Sequence, residues 1–170
     1  MKKLLLTLLI TLSIPILAKT PDSLFGVYIN DNVLDYVTKE ELKSKYRDSA
    51  RGFYYVKIKN PPVSNKDYSD ELYVTFDKNN KIGEINSQKI FQNLQTCEKV
   101  EYGARKALEN KYNIEFLKNP NTKYGFDKWV GDNVIATQCK VFGDDDIALF
   151  IFLQTEKYDD KYKEFLDSKI

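Results

Sequence analysis

The chain has 170 residues, of which 42% are apolar, 14% aromatic and 30% charged; 26 basic and 25 acidic side chains give a net charge of +1. That length suits one domain with a packed core rather than two. The composition excludes a disordered chain, a collagen-like repeat and a polytopic membrane protein.

Lys2 and Lys3 precede an apolar run from Leu4 to Leu17, broken by Thr7, Thr11, Ser13 and Pro15, which closes at Ala18 before Lys19-Thr20-Pro21. This is the layout of a secretory signal peptide, and the run is too short to span a bilayer. Pro15 breaks the helix ahead of the cut. Residues 1–18 are therefore expected to be a removed leader, and residues 19–170 a single globular domain in the periplasm or secreted. With Lys2 and Lys3 gone, 24 basic side chains face 25 acidic ones. Such a balance carries no bias toward nucleic acid or an anionic membrane. Lysine outnumbers arginine 23 to 3, the bias of an AT-rich bacterial genome, so lysine content is not read as function.

Ser23 to Ile29 is a short apolar stretch suited to a first strand. Thr38 and Glu41 form a capping box, predicting a helix to about Asp48 with Leu42 and Tyr46 on one face. Phe53 to Lys59 alternates with period two: Tyr54, Val56 and Ile58 on one face, Phe53, Tyr55, Lys57 and Lys59 on the other. Asn60-Pro61-Pro62 ends that strand. Leu72, Val74 and Phe76 alternate with Tyr73, Thr75 and Asp77 in the next. Asp77 to Lys81 reads as a hairpin turn, and Ile82 to Ile85 as the return strand.

Gln88 to Tyr112 has helical spacing, with Ile90, Leu94, Cys97, Val100, Ala104, Ala107 and Leu108 in one stripe and Asn113 as the stop. Asn119 to Asn121 and Gly125 to Asp132 read as an irregular connection. Ile135, Thr137, Cys139 and Val141 share one face of a following strand. After the turn Gly143 to Asp146, Ile147 to Leu153 is apolar throughout, as in a strand covered on both faces. Tyr158, Tyr162, Phe165 and Leu166 mark a final amphipathic helix. The predicted class is α+β: a mainly antiparallel sheet of about five strands, one long helix packed on it, and two short amphipathic helices.

Cys97 and Cys139 are the two cysteines of the chain. In an oxidising compartment they are expected to pair, tying the long helix to the sheet. Export and periodicity point to this bridge independently.

Histidine is absent, which removes the commonest general base, Ser-His and Cys-His nucleophiles and most catalytic zinc sites. No Ser-x-x-Lys or Gly-x-Gly occurs, which argues against a serine–lysine dyad and a phosphate loop. Asp77 to Ile82 opens like a calcium loop but carries Ile82 where glycine is needed. Asp144 to Asp146 reads as a solvated turn. No metal or cofactor is expected, and no basic run suits nucleic acid.

Two candidate surfaces remain. Tyr124, Phe126, Asp127, Trp129 and Asp132 could form a glycan site with Asp127 and Asp132 as a carboxylate pair, or a loop pinned by one tryptophan. Opposite Cys139 the sheet should present Tyr73, Phe142, Phe150 and Phe152, with Phe53 and Tyr55, or Tyr54 if the register of that strand is reversed. Either the two short helices cover these rings, or the face is partly open and binds an envelope protein, peptide or lipid. The sequence favours a non-enzymatic binding module of the envelope; a carboxylate-dependent glycan hydrolase and a structural subunit of an envelope assembly are the alternatives.

Overall fold

The computed structural model describes residues 18–48, 52–123, 125–143 and 146–167. The proposed leader up to residue 17, Tyr124, and Asp144 with Asp145 lie outside that set, as do the side chains of Tyr162, Phe165 and Leu166.

Eight strands form one antiparallel sheet. A first meander comprises β3 (Tyr46–Asp48), β4 (Phe53–Ile58), β5 (Glu71–Phe76) and β6 (Ile82–Phe91). Helix α2 (Leu94–Tyr112) leads to a second: β7 (Leu117–Lys118), β8 (Gly125–Val130), β9 (Asn133–Phe142) and β10 (Asp146–Thr155). The meanders join through their last strands, with β6 antiparallel to β10, so the two longest pairings lie at the centre. Ahead of the sheet come the small hairpin β1 (Ser23–Leu24) and β2 (Val27–Tyr28), and the single turn α1 (Lys39–Leu42). Helix α3 (Glu156–Asp167) follows β10 directly.

Alternation sorts the strand residues onto two faces. Leu149, Ile151 and Leu153 of β10, Ile135 and Cys139 of β9, Ile85 of β6 and Val74 of β5 are buried on one face. Cys97, Ala104 and Tyr112 of α2 cover them, together with Leu24, Val27, Ile29 and Val33 of the N-terminal segment. The Cys97–Cys139 disulfide crosses this layer with the two Cα atoms 6.1 Å apart, an ordinary span for such a bridge. The expected link between long helix and sheet is therefore present.

Several expected boundaries move. The sheet has eight strands rather than about five. The predicted helix from Lys39 to Asp48 stops after one turn: its capping box forms, but Tyr46–Asp48 pair with β4 as an edge strand. The long helix begins at Leu94, not Gln88, because residues 84–88 pair on both sides, with β5 and β10, and residues 89–91 continue the ladder with β10. Its N-cap is Asn93, whose side chain accepts from Thr96 N–H at 2.8 Å. Asn113 does end the helix, in the left-handed conformation, and its N–H donates to the Glu109 carbonyl. Gly125–Val130, read as irregular, is strand β8. Its partner β9 supplies the pairing that its own mixed sequence does not advertise.

Candidate functional site

The second face of the sheet gathers the predicted rings. Antiparallel partners point the same way, so the register Trp129–Val134–Gln154–Glu84–Thr75–Tyr55–Tyr46 defines one row across all but the last strand. The adjacent row runs Asp127–Ala136–Phe152–Asn86–Tyr73–Lys57. The next carries Gln138, Phe150, Gln88 and Glu71. Phe53, Tyr55, Tyr73, Phe142, Phe150 and Phe152 thus share one face, as alternation predicted, and Trp129 and Asp127 lie on it too.

Cover is uneven. Phe53 is 6% exposed, whereas Tyr55 is 37%, Phe142 40%, Trp129 42% and Tyr46 65% exposed; Phe150, Phe152 and Tyr73 are half-buried. Among the described side chains, the roof expected from two short helices is present at one end of the face. Tyr158 of α3 stacks on Phe53 with centroids 3.9 Å apart. Its hydroxyl donates to the Lys81 carbonyl at 3.1 Å. Helix α1 takes no such part, since its Leu42 packs against the core beneath the other face. The apolar strand Ile147 to Leu153 is accordingly buried at Leu149 and Ile151 but half-open at Phe150 and Phe152.

Between these rings lies an open cavity of about 370 Å³ lined by Phe150, Phe152, Gln138, Lys140, Glu84, Asn86 and Gln154. Its walls combine two ring faces, three amides and one charge of each sign. Asn86 Oδ1 is buried there with no hydrogen-bond partner among the described residues. Neighbouring rings are held in place. Phe142 meets Phe150 edge-on at 6.0 Å, and Tyr46 stacks on Tyr55 at 5.2 Å. Tyr73 donates to Glu71 at 2.8 Å, and Glu71 also takes Lys57 at 2.6 Å. Burial, and then this bond to a carboxylate, push the Tyr73 hydroxyl up to about 12. Bonds from Lys57 and Tyr73 hold Glu71 below the ordinary carboxylate range.

The two carboxylates of the glycan-site reading have different surroundings. Asp127 sits in mid-strand and accepts from Asn119 Nδ2 at 2.5 Å. Asp132 lies in the turn beyond Val130 and lines a different, polar cavity of about 590 Å³ with Asn30, Thr155 and Glu156. Phe126 points to the helix side, where the Arg105 guanidinium lies 4.0 Å above its ring.

That helix side holds a cluster around Glu101. Buried Glu101 accepts from Arg105 Nε at 3.0 Å and from Thr137 Oγ1 at 2.5 Å, beside the disulfide. Its signal was the i, i+4 spacing of Glu101 and Arg105 on a stripe otherwise apolar. Arg105 also lies 3.8 Å from Glu109 Oε1, so these groups brace one another along α2. Tyr46 was missed for the open face because its segment reads as helical. Among the described residues, no group of three or more His, Cys, Asp or Glu is placed to hold a metal ion, and no helix is long and apolar enough to cross a membrane. No protein-family model, no curated protein and no solved structure matches the chain.

Proposed function

We propose that this chain is an exported binding protein of the cell envelope, and that an extended peptide or protein segment lies across the open sheet face. The observation that carries the reading is the confinement of Tyr46, Tyr55, Tyr73, Phe142, Phe150 and Phe152 to one face on which Tyr46, Tyr55 and Phe142 are exposed, while Tyr158 of α3 covers Phe53. Rings supply desolvated contact area at little side-chain entropy cost, and interleaved amides supply orientation. Export is supported by the leader pattern of residues 1–18 and by the Cys97–Cys139 bridge.

The test is binding to an immobilised library of envelope peptides beside an array of cell-wall glycan fragments, with a Tyr73→Ala/Phe150→Ala/Phe152→Ala triple variant and a Tyr102→Ala control from the opposite side of the molecule. Peptide binding that the triple variant loses and the control keeps supports the reading. Glycan binding that turns on Trp129 and Asp127 would replace it with a sugar-recognition role. Release of sugar that vanishes on Asp127→Asn would favour the hydrolase. Light scattering separates a soluble binder from an assembly subunit.

A further inference from the structure

Resting on the export reading above, we infer that the bond cut on maturation is Ala18–Lys19 and that the new α-ammonium of Lys19 docks on the C-terminal end of α2. Ala18, Lys19 and Thr20 are exposed, so a peptidase can reach this bond. From Pro21 onward the chain is fixed. Pro21 is buried and its carbonyl accepts from Asn133 Nδ2 at 2.6 Å. The Asp22 carbonyl accepts from Ile29 N–H at 2.9 Å, and the Ser23 carbonyl accepts from the Tyr112 hydroxyl and from Lys111 Nζ. A cut beyond Pro21 would remove anchored chain.

The decisive contact is the Lys19 nitrogen, which donates to the Tyr112 carbonyl at 2.8 Å. Tyr112 is the last residue of α2, and its carbonyl has no donor within the helix. Hydrolysis adds water across the bond: the Ala18 carbonyl leaves on the leader as a carboxylate, and the Lys19 nitrogen becomes an ammonium. The nitrogen keeps its place but changes from a neutral amide with one donor to a cation with three. A cation is favoured at this negative end of a 19-residue helix. Lys111 is the charged side chain in contact here, and its ammonium is engaged by Ser23 O and Oγ at 3.1 and 3.2 Å. The precursor lacks this charge, so processing tightens the fold at the junction of α2 with the N-terminal segment.

Two measurements test this. Full-length protein exported from a bacterial host is sequenced from its N-terminus. Separately, proteins beginning at Lys19, at Thr20, and at Lys19 behind a Gly-Ser-Gly extension are released from a removable fusion and melted in low salt. The exported protein should begin at Lys19. The Lys19 form should melt about 1–4 °C above the extended form, which returns the nitrogen to an amide and moves the charge some ~10 Å away. That margin should shrink in 0.5 M salt, as roughly expected for an exposed charge; the Thr20 form, lacking the contact altogether, should melt below the Lys19 form in both. An exported chain starting elsewhere, or equal melting of the Lys19 and extended forms in low salt, overturns the inference. Soluble protein retaining Met1 would instead overturn export itself.

Discussion

The ring of Tyr158 lies where a side chain on Gly83 would have to be. A Cβ built on Gly83 meets Tyr158 Cε2 at 1.8 Å, while the other side of that ring stacks on Phe53. Among the described side chains, Tyr158 ties α3 to the sheet, set between a bare strand position and a facing ring. Gly83→Ala should displace Tyr158 and cost about 1–3 kcal/mol, the usual range for overpacking. Chemical denaturation measures the loss, and faster proteolysis within residues 156–167 would locate it. Unchanged stability with an equally resistant C-terminus would mean that α3 is held by other contacts.

The disulfide closes a loop with a sequence separation of 42. On the chain-entropy estimate it contributes roughly 4 kcal/mol. Cys97→Ala should lower the melting temperature of the exported protein, and reductant should lower the parent to a similar value. Intact mass should lie two hydrogens below the fully reduced mass; two free thiols would remove the bridge from the account.

Glu101 is 4% exposed, with Arg105 as its counter-ion. Arg105→Met leaves that carboxylate buried with only Thr137, and about 3–5 kcal/mol should be lost. Arg105→Met combined with Glu101→Met should recover most of it, because both charges then leave together. A double variant as unstable as the single would show that packing, not charge, governs the site.

Acid should loosen the same end of α2. Burial raises the Glu109 carboxyl, but Lys106, the Phe116 N–H and Arg105 together outweigh it and hold the group below its ordinary 4.5. A carboxyl depressed in the folded state contributes stability that is complete above its unfolded value and fades as pH falls through the folded one. Stability should therefore hold from pH 7 to about 5 and decline below 4.5. In Glu109→Gln the decline should be shallower, as read from urea unfolding at pH 6 and pH 3.

Adjacent residues of β10 should respond oppositely. Leu149 is fully buried under α2, and Leu149→Ala should cost about 2–5 kcal/mol. Phe150 and Phe152 point to the open face, and alanine at either should cost no more than about 1–2 kcal/mol. Large losses at both phenylalanines would mean the face is covered in solution.

Much of this molecule is legible in the amino-acid order. Composition and the cysteine pair point to one stapled α+β domain. Period-two alternation around Ile135 to Val141 places the ring of Phe142 opposite Cys139, because side-chain direction in a strand is local; in Phe53 to Lys59 it groups Phe53 with Tyr55, and pairing with β5 decides which sheet face they take. Thr38 and Glu41 cap a helix for the same local reason. Tertiary pairing decided what local signals left balanced. Residues 88–91 have helical spacing, and the ladder with β10 drew them into the strand. Tyr46 became an edge-strand residue because β4 offered it a partner. What covers the aromatic face was likewise decided by packing: among the described side chains Tyr158 of α3 lies against Phe53 and Gly83, α1 is one turn long, and Tyr55 and Phe142 are exposed. Periodicity sets the direction of a side chain, but only the packed fold sets what stands in front of it.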